Sequence, residues 1–572
     1  KINGVEGMIY MSSVSTNNGV SETTVTFDVG SNTDMATVNT LTRANLAVLP
    51  PEVLKNGLSV KKTSPNILQV ISFESPDERF NEIYLSNYVL INVVENLKRV
   101  PGVGDVNIIG SKDYSMRIWL NPYQMTKLGI TAADVTNALL EQNADYPTGR
   151  IGMPPSPESL DMTYNITSKG RLKTPEEFEK VILKTSPDHA GTIQIKDIGR
   201  VTLGAENYEF IGRLDGKKAV MISIYAQPGA NELSVAQEVR KEIAKLSQTF
   251  PNGIQYKIPH DTTVFVDVSI HEVLKTIFEA TILVFCVVYI FLQNWRATII
   301  PIIAIPICLI GTFIGMSYLG YSINTLTLFG MVLAIGLVVD DAIVVVENVE
   351  RLMHEEKLSP KEATLKAMKE VTSPVIAIVC VLCSVFIPVT FLGGLTGKLY
   401  EQFAITIAVS MVLSGFTALT LSPALSALLL KPPSKPTNLF FQKFNDFFEK
   451  ATNFYGRAVT FTIKRSLIAF LVFASLILWV GVLFKEVPMG LVPEEDQGYL
   501  IALVKMPDAA SLNRTSRVAK KLEKITREIP EVKHTVSLVG FDFLTGKLKP
   551  NSASCFIRLK DWKERGSAAS HS

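Results

Sequence analysis

Two adjacent carboxylates stand inside an apolar run, Thr325-Leu-Thr-Leu-Phe-Gly-Met-Val-Leu-Ala-Ile-Gly-Leu-Val-Val-Asp340-Asp341-Ala-Ile-Val-Val-Val-Glu347-Asn348. A run of this length and composition reads as a membrane helix. One charge near the middle of such a helix costs roughly 2.5–3.5 kcal/mol on insertion scales. Two like charges side by side cost more, so at least one of Asp340 and Asp341 is expected to hold a proton unless a cation neutralises the pair. A carboxyl whose charge switches is what a proton carrier needs. The alternative is that the pair sits at the cytoplasmic end and is simply solvated, because Thr325 to Val339 spans only about 22 Å. Gly330, Ala334 and Gly336 give the helix a small face suited to close packing.

Other chemistries fit less well. An intramembrane aspartyl protease needs two Asp facing each other from separate helices. Here they are adjacent on one helix, about 100° apart, and no other span carries an Asp. No GxxxxGK[ST] occurs, and the lone Gly102-Val-Gly104 reads as a turn. The six His are scattered, so neither a metal nor a cofactor site is indicated. Cys380-Val-Leu-Cys383 has CxxC spacing, but in a hydrophobic helix it reads as small core residues.

The elements that must position the pair follow from composition. The chain has 572 residues, 47% hydrophobic and 19% charged, below the roughly 25% charge of soluble domains. Lys+Arg 56 against Asp+Glu 54 leaves a net charge of +2, which offers no basic field for nucleic acid. Between Thr281 and Glu347 the only charged residues are Arg296, Asp340 and Asp341. Six spans are expected, at about 273–293, 298–319, 325–347, 373–392, 400–430 and 466–485. The 348–372 connection carries Arg351, Lys357, Lys361, Lys366 and Lys369. The 431–465 connection carries Lys431, Lys435, Lys443, Lys450, Arg457, Lys464 and Arg465. The positive-inside rule places both in the cytoplasm, and an even number of spans puts both polar portions on the outer face. Residues 1–262 show no signal-peptide pattern, and the chain starts at Lys1, so it is expected to be an internal piece of a longer protein. Phe440, Phe441, Phe444, Phe447 and Phe448 form one stripe, predicting an amphipathic helix at about 438–450 on the cytoplasmic interface.

The polar portions repeat a unit: a helix of about 15 residues, a Pro turn and a strand. It occurs at 85–110, 233–258 and 513–539. Strands alternating with amphipathic helices indicate α+β sandwiches of the ferredoxin-like, split βαβ kind. The stretch 114–204, with Pro154-Pro155-Ser-Pro157, has a different texture and reads as an inserted subdomain.

These residues resemble the resistance-nodulation-division (RND) family, in its hydrophobe/amphiphile multidrug efflux branch. The run 330–351 is similar to its signature fourth membrane helix. Further matches are 100–110, Met116-Arg-Ile-Trp-Leu-Asn-Pro122, 259–272, Phe291-Leu-Gln-Asn-Trp-Arg-Ala297, Pro493-Glu-Glu-Asp-Gln-Gly498 and Leu559-Lys-Asp-Trp562. The resemblance implies a polytopic α-helical membrane protein with large periplasmic α+β porter subdomains and an inserted docking subdomain. It further implies a homotrimer in the bacterial inner membrane, joined to a periplasmic adaptor (membrane fusion) protein and an outer-membrane channel. Such a pump is a secondary active antiporter, not an enzyme: protons enter and amphiphilic small molecules leave, with no cofactor beyond the proton gradient.

The same resemblance divides the chain. Residues 1–66 would be part of a first porter subdomain, 67–113 with 205–262 the second, 114–204 the docking subdomain, 263–485 the transmembrane domain and 486–572 the start of a third porter subdomain. The spans would be helices two to seven of twelve. Asp340 and Asp341 carry over as a proton-relay pair whose Lys partner lies on a helix outside this chain. Phe210, His260, Phe541, Phe543 and Phe556 carry over as substrate-pocket residues, and Gly540 to Gly546 as a gating loop. Asn66, Ile109 and Val536 stand where the family's best-known pocket has Phe, so a less aromatic pocket is expected. A heavy-metal exporter of the same superfamily is an alternative, but Met8, Met11, Met35, Met116, Met125, Met153, Met162 and Met221 are dispersed. A non-transporting membrane receptor is another, although it has no use for paired buried acids.

Overall fold

A computed structural model describes the chain except residues 16–19, 29, 63, 65, 158–159, 186–190, 432–438, 488–494 and 566–572. Lys435 of the second basic connection and Pro493-Glu494 of one matching motif lie outside the described residues. Six helices are long and apolar enough to cross a membrane: Thr263–Leu292, Trp295–Tyr318, Thr325–Glu355, Pro360–Phe391, Thr396–Leu429 and Ser466–Glu486. All six fall where the apolar runs predict them. They extend past those runs because polar turns continue several helices beyond the apolar core.

The second, third and fifth spans form the tight centre, and the fourth packs beside them. The third span starts at Asn324, whose side chain accepts from the Thr327 N–H at 3.0 Å. Its buried residues include Met331, Ala334, Val338, Asp341, Val345, Val349 and Leu352, an i, i+3/i+4 stripe. Gly330 lies on this packed side, where an added Cβ would stand 3.3 Å from the Phe403 carbonyl oxygen. Gly336 is exposed with nothing near it, which corrects its expected place on the small packing face. Cys380 is likewise exposed on the fourth span and Cys383 half-buried. Cys380 is therefore not a core residue, because the packed stripe of that helix runs through Ala363, Ala367, Val371 and Val375.

The amphipathic helix is longer than expected, Leu439–Lys464 rather than about 438–450. Phe454, Tyr455, Ala458 and Phe461 keep the stripe on one face beyond Lys450, and no proline interrupts it. It ends one residue before the sixth span begins.

Outside the spans, strands Gln69–Glu74, Val103–Ile109, Val220–Ala226 and Gln255–Asp261 form one antiparallel sheet. Numbered along the chain, their spatial order is fourth, first, third, second. Helix Glu232–Ser247 buries Val235, Ala236, Val239 and Ile243 against it. Glu82 to Leu97 forms the facing helical segment, with a π-helical turn at Leu90–Val94. This core is all aliphatic apart from Phe73, and each fully buried Leu or Ile contributes about 1.5–3 kcal/mol.

A second sheet has the order Lys217–Lys218, Ile211–Leu214, Val532–Asp542, Lys547–Leu559, Tyr499–Lys505. It interlocks chain segments on either side of the spans. Helix Leu512–Glu528 covers it with a mostly polar face of Thr515, Ser516, Ala519, Glu523 and Thr526. Polar bonds replace apolar burial there: Arg213 Nε donates to Glu523 Oε1 at 2.9 Å and Thr526 bonds Thr535 at 3.1 Å. Within 114–204, strand Tyr114–Leu120 pairs with Gly199–Ala205 above a core that includes Ile130, Val135, Phe178, Ile195 and Ile198.

Candidate functional site

The helix periodicity splits the acidic pair. Asp341 falls on the buried stripe and is 2% exposed, whereas Asp340, about 100° around the helix, is exposed. The fifth span supplies the contact. Ser414 Oγ donates to Asp341 Oδ2 at 2.6 Å and lies 3.2 Å from the Val338 carbonyl oxygen. Among the described residues no Lys, Arg or His reaches Asp341. A carboxylate can accept about four hydrogen bonds, and this one has a single donor. An apolar site with one hydroxyl donor suits a carboxyl that carries a proton, or one that awaits a cation.

Sequence reading missed the hydroxyl seam that continues from this contact. Thr312 of the second span bonds Ser410 at 2.9 Å, and Cys308 bonds Thr417 at 3.3 Å. Ser422 is also buried, with an unpartnered hydroxyl. The available signal was the i, i+4, i+7 spacing of Ser410, Ser414 and Thr417 in an otherwise apolar run. At the opposite end of the third span polarity returns. Asn294 Nδ2 donates to Glu350 at 3.0 Å, and Arg351 pairs with Glu355 and Glu370, each at 2.8 Å.

The aromatic candidates converge where the two sheets meet. Phe210 and Phe556 are buried in one cluster with Val70, Leu214, Met221, Val536 and Leu538, and Phe541 and Ile109 pack on its edge. Phe543 meets Phe556 edge-on at 5.3 Å between ring centroids. His260 meets Tyr499 at 5.0 Å and Phe556 at 5.8 Å. Burial, reinforced by the Arg558 charge, pushes the His260 imidazole down to about 4, so it is neutral near pH 7. Asn66 is exposed.

In this conformation these aromatics pack against one another. The cavity beside Phe210, lined by Ile109, Gly110 and Ala219 among others, holds only about 10 Å³, against roughly 300–1,000 Å³ for a drug-sized site. The loop expected between Gly540 and Gly546 is shortened to residues 543–546, because residues 540–542 still belong to a strand and the next begins at Lys547. Gly540 has φ +88°, and a Cβ there would sit 2.1 Å from the Glu209 carbonyl oxygen. Ser554 pins the turn: its hydroxyl accepts from the Phe543 N–H at 3.0 Å and donates to the Phe541 carbonyl at 2.9 Å.

A further joint ties the first sheet to the first span. Asp261 ends its strand and accepts from Gln69 at 2.7 Å, Arg240 at 2.5 Å and the Thr263 N–H at 3.0 Å, where the helix begins. Among the described residues no cluster of His, Cys, Asp and Glu could hold a metal ion.

Known proteins share this arrangement of sequence. The chain is 43% identical to the multidrug export protein AcrF of Escherichia coli (strain K12) over 572 residues, 99% of this chain and 55% of that protein. It is 42% identical to the multidrug resistance protein MdtF of the same strain, with the same coverage. It is 41% identical to the toluene efflux pump membrane transporter TtgB of Pseudomonas putida, over 99% of this chain and 54% of that protein. The chain thus spans about half the length of these relatives. The AcrB/AcrD/AcrF family profile matches residues 1–572. With a buried acid in its third span and that match along its whole length, the chain belongs to the AcrB/AcrD/AcrF family.

Proposed function

We propose that the chain forms part of a proton/drug antiporter that exports amphiphilic compounds as the inner-membrane component of a tripartite efflux system. The observation that carries the reading is Asp341, a buried carboxyl with Ser414 as its sole described side-chain donor. The names of its relatives, multidrug export and toluene efflux among them, supply the cargo class. In this reading Asp340 and Asp341 are the proton relay. Asp341 holds a proton when no cation is near. It releases the proton when a Lys on a helix outside this chain approaches from the side on which Asp340 is exposed. Each exchange changes the charge of the third span and so the packing of its neighbours.

The subdomain assignment belongs to the same proposal. The fourth-first-third-second strand order of 67–113 with 205–262 supports a ferredoxin-like, split βαβ porter subdomain. The separate core of 114–204 supports an inserted docking subdomain. Residues 1–66 and 486–572 are read as parts of the first and third porter subdomains. The bonds at Asp261 would transmit movement of the first span to the sheet above it. Phe210, His260, Phe541, Phe543 and Phe556 would line a substrate pocket that opens by moving the turn between Gly540 and Gly546. The homotrimer, the periplasmic adaptor and the outer-membrane channel are read from the family.

The test uses the full-length parent in a susceptible host lacking its own pumps. Dye efflux and drug susceptibility are compared for wild type and Asp340→Asn/Asp341→Asn at equal membrane levels. Loss of efflux in the variant supports coupling through this pair. Equal efflux refutes the relay, and no efflux from either, with protection against toxic metals instead, refutes the drug cargo.

A further inference from the structure

Helix Leu439–Lys464 contains a seven-residue repeat in four copies: Phe440-Phe-Gln-Lys443, Phe447-Phe-Glu-Lys450, Phe454-Tyr-Gly-Arg457 and Phe461-Thr-Ile-Lys464. Seven residues return to within about 20° on an α-helix. The first Phe of each copy therefore forms one row, and the cation three residues on forms a second row beside it, each with steps of about 10.5 Å. Lys443, Lys450, Arg457 and Lys464 are all exposed. None has an ion-pair partner among the described residues, although Asp446 and Glu449 lie on the same helix. The other basic connection differs, since Arg351 and Lys366 are both paired there. From Lys450 to Arg465 the chain carries four cations and no acid.

Three rings of the Phe row, Phe447, Phe454 and Phe461, are largely exposed, and Arg465 lies over the Phe461 ring at 5.6 Å. Phe447 and Phe454 are each 69% exposed and Phe461 60%. The contacts that hold the helix come from its first turns. Phe441 meets Tyr289 at 6.0 Å, Phe444 meets Phe291 at 5.4 Å, and Gln293 donates to Asn445 at 2.5 Å. The helix runs into the sixth span after a single residue, Arg465. It is thus held at the bilayer surface, with a repeated ring-plus-cation pair along one edge.

We propose that this edge is a binding surface for anionic phospholipid headgroups. The Phe row enters the boundary between headgroup and acyl chain, and each Lys or Arg meets a phosphodiester beside it. A zwitterionic headgroup brings its own cation to the phosphate and competes poorly for this row. The proposal does not depend on what the protein exports.

The test uses the full chain reconstituted in vesicles of equimolar phosphatidylglycerol and phosphatidylcholine, with each lipid labelled in turn to read its enrichment at the protein. Wild type should enrich phosphatidylglycerol. Lys443→Gln/Lys450→Gln/Arg457→Gln/Lys464→Gln should lower that preference by about tenfold or more, since each cation near an anionic surface contributes roughly fivefold. Lys357→Gln/Lys361→Gln/Lys366→Gln/Lys369→Gln removes the same charge from the other connection and should leave the preference intact. Equal enrichment in wild type and the first variant would overturn the proposal, as would an equal loss in the second. Displacement of the lipid by an equal concentration of soluble glycerophosphoglycerol would assign the row to free phosphodiesters and overturn it too.

Discussion

Five carboxylates are buried among the described residues, and their partners divide by region. In the sheets outside the spans each has a cation. Glu74 pairs with Lys257 at 2.7 Å, Asp105 with Lys61 at 3.4 Å, Asp261 with Arg240 at 2.5 Å and Glu523 with Arg213 at 2.9 Å. In the spans Asp341 has the Ser414 hydroxyl and no cation. A buried charge with a fixed counter-charge stays charged and locks its neighbours together. A buried carboxyl with a hydroxyl alone can be neutral, and its state can change. The same kind of group thus meets a cation in one region and a hydroxyl alone in the other, which is the arrangement that the proposed proton site requires.

The largest expected effect breaks that comparison from the membrane side. Asp341→Asn in the full-length parent should reduce drug tolerance to that of the pump-deficient host. The thermal midpoint of the chain in detergent should stay level or rise, since the variant removes an ionisable group and no cation is orphaned. A stable variant that still exports would show that Asp341 is neither a proton site nor a clamp.

Glu523→Ala should behave in the opposite way. It leaves the Arg213 guanidinium buried without its counter-charge and should cost about 3–5 kcal/mol. The measurement is unfolding of the second sheet in detergent, followed through Trp562 fluorescence. The double substitution Arg213→Met/Glu523→Leu should recover most of the loss, because an apolar pair of similar volume is often neutral or better. Failure to recover would assign the role to the bonds Arg213 makes with Ser516.

His260 sharpens the contrast, being buried in the soluble portion and kept neutral. Its pKa in the fold is about 4, below its ordinary value of 6.5. Protonation therefore favours the unfolded chain. Stability is complete above about pH 6.5 and falls as pH drops towards 4, by about 1.4 kcal/mol per unit and about 3 kcal/mol in all. His260→Gln should flatten that part of the stability curve, and an unchanged slope would rule out His260 as its source.

The smallest effect concerns the hydroxyl. Ser414→Ala should cost about 1 kcal/mol, near the lower end for an orphaned acceptor, because Asp341 can take a proton instead. Ser414→Thr should restore the thermal midpoint. A loss as large as that of Glu523→Ala would mean that Asp341 is normally charged.

Much of this was legible in the chain. The apolar runs located all six spans, because a bilayer demands about 20 apolar residues whatever else the helix touches. The helix-turn-strand units appeared at the expected places because their Pro and Gly turns are local signals. The acidic pair was visible because charge in an apolar run is costly. Which of the two faces inward was not legible, because apolar residues surround the helix on every side and only packing picks out the stripe through Ala334, Val338 and Val345. The polar buried face of helix Leu512–Glu528 was not legible: its Thr, Ser and Glu read as solvated until Arg213, some 300 residues away in sequence, is placed against them. Cys380 and Gly336 were misplaced because residue type was read without asking which face of the helix is covered.

The sequence by itself determined the membrane class, the number of spans, the position of the charged pair and the family resemblance, since each depends on composition or on neighbours within a few residues. Only the tertiary structure decided that Asp341 meets a serine while Glu523 meets an arginine. It alone also showed that Phe210 and Phe556 share one cluster and that Phe447, Phe454, Phe461 and the cation row of Leu439–Lys464 stay exposed. Each of those outcomes depends on which distant element arrives at a side chain. A carboxyl's charge state, a ring's neighbour and a helix's free face follow from that partner and not from the residue's own identity.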